Sequence, residues 1–189
     1  PGSNDVKIYT SPYAGDASDT NTLEALNDMT GANAVGQSFF IEQDAELKVG
    51  GLNDIELAGR IRGDSVAVGM DDPNSRLILS NNNTDLAMRN QYTTTRILGG
   101  TLEVDSQAAL GGSLIMLDGI GKFQSGAVNL VLSNNILLNS SNLLTIGGAN
   151  NIELNGILGG TGGLIKTDAM TLKLSGVGNY LGQTQIEQG

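Results

Sequence analysis

Short stretches in which every second residue is aliphatic recur along most of this chain. In residues 44–49, DAELKV, three apolar residues alternate with three charged ones. The same spacing returns in the pairs Ile55/Leu57, Val66/Val68, Leu77/Leu79, Leu102/Val104, Leu130/Leu132, Ile136/Leu138, Leu144/Ile146, Ile152/Leu154 and Leu172/Leu174. Gly, Asn, Asp or Ser residues separate the pairs. Because side chains alternate between the two faces of a strand, the pattern predicts short β-strands with one apolar face and tight turns between them.

Two parts of the chain also repeat one another. Residues 47–63 read LKVGGLNDIELAGRIRG and residues 144–160 read LTIGGANNIELNGILGG, at an offset of 97 residues (144 − 47). Turn glycines are among the shared positions, since Gly59 and Gly63 return as Gly156 and Gly160. Self-similarity at a long period is typical of solenoids.

The spacing of the strands limits the architecture. A strand with one apolar face cannot bury it alone, and spacings of roughly 8 to 12 residues are too short for crossover helices. A sandwich or a barrel would satisfy this pattern with antiparallel strands, and a β-helix with parallel ones. The repeat and the low aromatic content, 4%, favour a narrow interior. We therefore predict an all-β, right-handed parallel β-helix (solenoid) of roughly six to eight coils, each adding about 4.8 Å.

The first 37 residues lack the alternation. Residues 1–3, Pro-Gly-Ser, are typical of a vector-derived scar. Residues 4–37 are predicted to form an irregular N-terminal cap or side loop, since stacked repeats need caps. Within it we expect a short strand around Val6 to Tyr9 and a brief helix that begins after Thr22 and ends at Gly31. The parallel β-helix repeats are predicted to occupy residues 38–189.

The chain is acidic, with a net charge of −10. Nucleic acids and anionic membrane surfaces are bound through basic patches, so neither is a predicted partner. No apolar run approaches the roughly 20 residues needed to cross a bilayer, and we expect no direct membrane insertion of this segment.

The absence of His and Cys excludes Ser-His-Asp and Cys-His triads and the usual zinc sites. We accordingly predict no catalytic, metal-binding or cofactor-binding residue, and the chain is not expected to be an enzyme. Acidic clusters near a basic residue are the remaining possibility, because β-helix enzymes that cleave polysaccharides use such groups with Ca²⁺. Asp71 and Asp72 beside Arg76 fit this description. The other candidate cluster is Glu42, Asp44 and Glu46. Alternation places the three carboxylates of that cluster on one outer face, and we interpret them as part of a solvated surface and not as a catalytic site.

Arg62, Gly63 and Asp64 form an Arg-Gly-Asp sequence, which engages integrins when it is exposed on a loop. Its carboxylate would complete a metal site of the receptor. A given tripeptide also occurs by chance in a chain of this length with a probability of about a few per cent. Gly63 is a turn glycine of the internal repeat, and Gly160 fills the same place without flanking Arg or Asp. The sequence therefore favours a chance occurrence of the tripeptide around a turn glycine, and it leaves the integrin-type motif open.

The C-terminal stretch, residues 162–189, reads GGLIKTDAMTLKLSGVGNYLGQTQIEQG. It resembles the passenger-associated repeat of bacterial autotransporters, in which a Lys-Thr pair precedes a Thr-Leu-x-Leu-Ser-Gly strand and an Asn-x-Tyr-x-Gly turn. Lys166 and Thr167 match the pair. The repeat-defining residues of the strand and turn are Leu172, Leu174, Ser175, Gly176, Asn179, Tyr180 and Gly182. Residues 168–170, Asp-Ala-Met, replace the Gly-Ala-Gly step of the family.

The resemblance implies a segment of an autotransporter passenger domain with a pertactin-like β-helix. Such a segment would be at the cell surface or secreted, outside the outer membrane of a Gram-negative bacterium, with a C-terminal β-barrel translocator following in the full protein. It would act as an adhesin or virulence-associated stalk and as a folding scaffold for secretion. Its partners would be a host-cell or matrix receptor, or another passenger. Two alternatives stay open: a carbohydrate-active β-helix enzyme (polysaccharide lyase or hydrolase) and a self-associating cell-cell aggregation module.

Overall fold

The computed structural model describes residues 6–8, 21–24, 27–70, 72–85, 87–126, 129–139 and 141–189. Within these ranges the chain is nearly all β, with one 3₁₀ turn at Gly31–Asn33 and one single-turn helix, α1, at Gln107–Leu110. The strands are β1 (Val6–Ile8), β2 (Asn21–Glu24), β3 (Phe39–Gly51), β4 (Ile55–Leu57), β5 (Ile61–Met70), β6 (Arg76–Leu79), β7 (Gln91–Val104), β8 (Leu114–Ser125), β9 (Leu130–Leu132), β10 (Ile136–Leu138), β11 (Leu143–Gly147), β12 (Ile152–Leu154), β13 (Leu158–Gly160), β14 (Gly163–Lys166), β15 (Leu172–Leu174) and β16 (Thr184–Ile186).

Every strand pair among the described residues is parallel. Paired residues lie one coil apart, as Ile152 pairs with Leu172, 20 residues later. The chain therefore returns to the same place after each coil and stacks on the coil before it. The result is a β-solenoid of about seven turns, which confirms the parallel all-β prediction and the predicted number of coils. The right hand of the solenoid stays a prediction and follows the general preference of parallel crossovers.

Three columns of stacked strands form the faces of the solenoid. The first face contains the second half of β3, most of β5, the middle of β7, the start of β8, β10 and β13. The second face contains β4, β6, the ends of β7 and β8, β11, β14 and β16. The third face contains the starts of β3, β5 and β7, and later β9, β12 and β15.

The interior is filled by the aliphatic residues that the alternation predicts to face inward. From Ala45 to Leu154, each member of the predicted pairs is at most 5% exposed. A fully buried Leu, Ile or Val side chain stabilises a fold by about 1.5–3 kcal/mol, so this continuous stack is the main source of stability. The last pair differs: Leu172 is half-buried and Leu174 is 45% exposed, because among the described residues no strand stacks on β15 from the far side.

The helical turn α1 takes the place of a strand on the third face. It comes after the second-face end of β7 and before the first-face start of β8. Ala109 and Leu110 fill the interior there and are fully buried. The buried Asn90 side chain donates to the carbonyl of Ala109 at 2.7 Å and accepts from the Ile61 N–H at 2.7 Å. Because α1 interrupts the ladder, β9, β12 and β15 form a separate three-stranded sheet.

The internal repeat is reproduced in the backbone. Gly51 and Gly148 have φ of +98° and +102°, and Gly63 and Gly160 have φ of +115° and +109°. A Cβ at Gly63 would also overlap the carbonyl oxygen of Ile41 in the coil below, so this corner requires glycine. The first copy nevertheless begins on the first face and the second copy on the second face. The offset of 97 residues is therefore not a whole number of coils, and the repeated unit is a run of strands and turns.

The N-terminal segment contains strands where a helix was expected. β1 pairs with the start of β3, as a strand around Val6 predicts, whereas Tyr9 lies outside the described residues. The helix predicted after Thr22 is wrong, because β2 pairs in parallel with β3 and aligns Leu23 with Val49. Pairing with the first complete coil thus outweighs the local helix signal. The division into a cap at 4–37 and repeats from 38 onward stays a prediction.

Candidate binding surface

A row of charged side chains on the outer side of the first face joins several coils. Arg96 Nη1 donates to Glu46 at 2.9 Å, and Arg96 Nε donates to Asp118 at 2.7 Å. Asn139 Nδ2 donates to the other oxygen of Asp118 at 3.1 Å. The intervening coil presents Ala67 beside Arg96, and this small residue is fully buried although it points outward. Arg96 therefore reaches across one coil to Glu46.

A second row crosses the second face and is centred on Arg76. Its Nε and Nη2 donate to Asp54 Oδ2 at 2.9 and 2.6 Å, and its Nη1 donates to Glu103 at 2.7 Å. Gln124 Nε2 donates to the same Glu103 oxygen at 2.5 Å. The hydrogen bonds to Asp54, and then those to Glu103, raise the pKa of Arg76 above its usual value. Four successive coils are thus joined by polar contacts on their outer side.

Asp105 lies beside this second row, and in the part of the chain that the structure describes no Lys or Arg forms an ion pair with it; Arg76 pairs with Asp54 and Glu103 instead. Burial raises the pKa of its carboxyl, and the negative charges of Glu103 and Glu56 raise it further. A side chain at Gly126 would meet both the Glu103 and the Asp105 carboxylates. In the described ranges, however, no group of three or more acidic residues is arranged to hold a metal ion.

The first cluster nominated for carboxylate chemistry serves a turn. Asp72 accepts hydrogen bonds from the backbone N–H and the side-chain amide of Asn74, at 2.8 and 3.0 Å. Arg76 forms the ion pairs of the second row with Asp54 and Glu103, and Asp71 lies outside the described residues. The contacts of Asp72 and Arg76 therefore explain both residues as structural elements of a corner.

The second nominated cluster does not lie on one face. A register shift falls between Ile41 and Glu46, and Asp44 adopts a φ of +64°, so the alternation is broken at this corner. Glu46 joins Arg96 in the first row. The common outer face expected for Glu42, Asp44 and Glu46 is therefore wrong, because a corner of the solenoid separates them.

The Arg-Gly-Asp sequence lies within β5, where the chain passes from the third face to the first. The Asp64 carboxylate accepts hydrogen bonds from the Thr93 hydroxyl and the Asp44 N–H, both at 2.7 Å. The bond from Thr93 is the main reason that the pKa of Asp64 is lowered. The Arg62 guanidinium lies 5.3 Å from the centre of the Phe40 ring. An integrin-type contact would have to compete with these interactions, and the motif stays a prediction.

Two of the repeat-defining glycines allow coils to approach closely. A side chain at Gly176 would overlap the carbonyl oxygen of Gly156, and one at Gly182 would overlap the backbone of Gly162. Both positions are corners at which one coil lies directly on the previous one. The glycines of the repeat are therefore explained by stacking.

The polar residues of the repeat make contacts within and between coils. The Ser175 hydroxyl donates to Glu153 at 2.7 Å, and the Asn179 N–H donates to the carbonyl of Leu158 at 2.8 Å. The Tyr180 hydroxyl is hydrogen-bonded within its own coil. These contacts give the turn a structural role; any binding role of the same residues stays untested.

Lys166, which the sequence presents only as part of a Lys-Thr pair, points into the interior. It is 6% exposed and stacks on Ile146. Its Nζ donates to the carbonyls of Thr167, Asp168 and Gln188 at 2.9, 2.7 and 2.6 Å. Because Gln188 belongs to the following coil, one buried ammonium joins two coils. The signal in the sequence was a lysine two residues after Leu164, where the alternation calls for an apolar side chain.

A shallow groove of about 260 Å³ crosses the sheet of β9, β12 and β15. Its lining includes Asn129, Val131, Asn151, Glu153, Thr171 and Lys173. Asn129 Oδ1 accepts from the backbone N–H of Asn151 at 3.3 Å, and Asn151 Oδ1 accepts from that of Thr171 at 2.8 Å. Lys173 pairs with Glu153 at 2.9 Å. Contacts from one coil to the next thus fix the polar groups of this groove.

Replacing Lys166 by Met is expected to lower the free energy of unfolding by about 1–3 kcal/mol, because three partly buried hydrogen bonds to carbonyls are lost. Lys173→Met is the matched control. Its side chain is 64% exposed and its pair with Glu153 is a surface contact, so the expected loss is about 0–1 kcal/mol. Urea unfolding followed by circular dichroism measures both. Equal losses for the two variants would contradict the role given to Lys166.

The pKa of Asp105 is raised and that of Asp168 is lowered, so these two carboxyl groups should change the free energy of unfolding with pH in opposite directions. Because the folded pKa of Asp105 is raised, its charge opposes folding at neutral pH, and that cost disappears as the pH falls and the folded carboxyl takes up a proton. Asp105→Asn should therefore raise the free energy of unfolding at neutral pH and have less effect in acid.

Asp168 is the control for this prediction. Its pKa is lowered mainly by the hydrogen bond from the Gly148 N–H and then by Lys122, so its charge stabilises the fold at neutral pH. That contribution is lost as the pH falls through the folded pKa. Asp168→Asn should thus lower the free energy of unfolding at neutral pH and have less effect in acid. Urea unfolding at neutral and acidic pH should give effects of opposite sign; effects of the same sign would contradict the assignment.

No helix in the part of the chain that the structure describes is long and apolar enough to span a membrane. Comparison with curated proteins finds a similarity to the protein named Adhesin BmaC autotransporter of Brucella suis biovar 1 (strain 1330), at 35% identity over 105 residues. The match covers 53% of this chain and 3% of that much longer relative. No family model and no solved structure matches. The chain is thus similar in sequence to an autotransporter adhesin, and it has the parallel β-solenoid that the passenger-associated repeat implies.

Proposed function

We propose that this chain is a segment of an autotransporter passenger that is displayed outside the outer membrane of a Gram-negative bacterium and acts there as an adhesin. The similarity to an autotransporter adhesin, in a chain that folds as a parallel β-solenoid, is the observation that carries this proposal. A C-terminal β-barrel translocator in the full protein would deliver the segment to the surface.

The geometry of the solenoid suits a stalk. Each coil adds about 4.8 Å along the axis, so the number of coils sets how far the molecule reaches from the cell. Each coil contacts mainly its neighbours, and a coil that leaves a translocator can stack on one that has already folded. The same segment would therefore serve as a scaffold for folding during secretion.

The adhesive contacts would be made by the outer faces. Arg96 and Arg76 are held by acidic partners on other coils, so their side chains are ordered before a partner arrives. Such order reduces the entropy lost on binding. The net charge of −10 favours a basic or neutral region of a host-cell or matrix receptor.

Beads coated with the folded chain should attach to host cells or to matrix proteins, whereas beads coated with the unfolded chain should not. Because the proposed contact is spread over a face, attachment should survive the loss of any single carboxylate. Counting attached beads under flow measures the effect. Equal attachment of folded and unfolded chains, or of coated and uncoated beads, would contradict the proposal.

The Arg-Gly-Asp hypothesis is a separate arm of this test. Asp64→Glu should abolish the part of the attachment that depends on integrins, and Glu42→Asp, a carboxylate change on β3, is its control. If attachment is unchanged in both variants, the tripeptide is incidental and the proposed adhesion rests on the faces. Circular dichroism should confirm that both variants fold, since Asp64 also holds Thr93 and Asp44.

A further inference from the structure

Charge is distributed very unevenly along the solenoid. Between Phe123 and Ile165 the sequence contains a single charged residue, Glu153, whereas most of the other charges lie between Glu42 and Lys122. Lys173 of the next coil pairs with Glu153 at 2.9 Å. Two successive coils therefore carry a single charge, which Lys173 of the following coil balances, on a molecule whose total is −10. We call these coils, residues 129–165, the neutral coils.

The outer surface of the neutral coils is made of amides, hydroxyls and aliphatic side chains. Its exposed residues, among those that the structure describes, are Asn129, Val131, Ser133, Asn135, Asn139, Ser141, Ala149, Asn151, Asn155, Ile157 and Thr161. Val131 is 44% exposed and Ile157 is 49% exposed. Val131 stands on the sheet of β9, β12 and β15, and Ile157 stands at the corner that follows β12. The Glu153–Lys173 pair on the sheet of β9, β12 and β15 is the exception, and its two charges balance. A face without net charge and with exposed aliphatic residues has the composition of a protein contact.

The amides of this surface are fixed in place. Asn129 and Asn151 each accept a hydrogen bond from the backbone of the next coil, and Asn135 Oδ1 accepts one from the Ile157 N–H at 2.9 Å. Their oxygens are thus used inside the solenoid, and the surface is ordered before any contact forms. Residues 124–165 also contain no aromatic residue, so this surface offers no ring on which a sugar could stack. Both features favour a protein partner over a glycan.

We infer that the sheet of β9, β12 and β15, with the corner at Ile157, is a lateral contact between two copies of this chain. Two molecules that each carry −10 repel one another wherever their charged coils meet, and the neutral coils are where they can approach at the lowest electrostatic cost. A two-fold pairing would place the same patch on both copies, with Val131 and Ile157 on either side of the Glu153–Lys173 pair.

The patch is small, because three short strands span only about 14 Å across the sheet at about 4.8 Å per strand. Standard stable interfaces bury about 800 Å² on each partner, and this contact lies at the weak end of that range. Many copies on neighbouring surfaces would act together, so that a weak pairwise contact becomes an avid one. The inference is independent of adhesion to a host receptor.

Sedimentation velocity from micromolar to millimolar concentration tests this contact. We expect the weight-average mass of the chain to rise with concentration. The double variant Val131→Asp/Ile157→Asp adds unpaired negative charges to the contact and should weaken association by about tenfold or more. Ile120→Asp is the matched control, since Ile120 is 75% exposed on the charged part of the solenoid and should leave association unchanged.

A second control separates lateral pairing from stacking at the end of the solenoid. Leu181, in the last coil, is 81% exposed, and Leu181→Asp should leave the lateral contact intact. Added NaCl should strengthen association, because it screens the repulsion between the charged coils. A monomer at every concentration, loss of association in Leu181→Asp, or dissociation by salt would each overturn the inference. Failure of bead attachment to host cells would leave it standing.

Discussion

The structure depends on the parallel stacking of one coil on the next. A single coil has only short strands, and its Leu, Ile and Val side chains are covered only when the coils above and below place matching residues beside them. Backbone hydrogen bonds fix that alignment, as in the pairing of Ile55 with Leu77. Stacking also explains the corners, where Gly63 lies against the backbone of the previous coil and no larger residue fits. The regular stacking of coils along the axis of the solenoid therefore follows from contacts between residues that lie about one coil apart in the sequence.

The outer rows repeat this arrangement in polar form. Arg76 joins Asp54 to Glu103, and Arg96 joins Glu46 to Asp118, so charged side chains follow the axis as the aliphatic ones do inside. Where the rows end, the neutral coils begin. The proposed functions follow this division. We propose that the charged faces bind a host receptor and that the neutral coils bind a second copy of the chain. The number of coils sets the length of the stalk that carries both.

Much of the fold could be predicted from the sequence because the alternation is local. Leu47 or Ile152 can be assigned to the interior from its neighbours alone. The ion pairs could not be predicted from the sequence, since Glu46 and Arg96 lie 50 residues apart and their contact depends on the exact path of an intervening coil. α1 was missed because Ala109 and Leu110 satisfy an apolar pattern in any conformation. Lys166 belongs to the Lys-Thr pair of the repeat, and its place in the alternation, two residues after Leu164, indicates the interior.

The register of two consecutive coils, those of β9 and β12, tests the central claim most directly. The chain has no cysteine, so paired substitutions can report single contacts. Neighbouring strands lie about 4.8 Å apart, within the range of about 4.4–6.8 Å between the Cα atoms of a disulfide. Parallel stacking predicts that Val131→Cys/Glu153→Cys and Asn129→Cys/Asn151→Cys both form intramolecular disulfides under mild oxidation. If Asn129→Cys/Asn155→Cys forms one in place of the second pair, the strands are antiparallel and the solenoid is wrong.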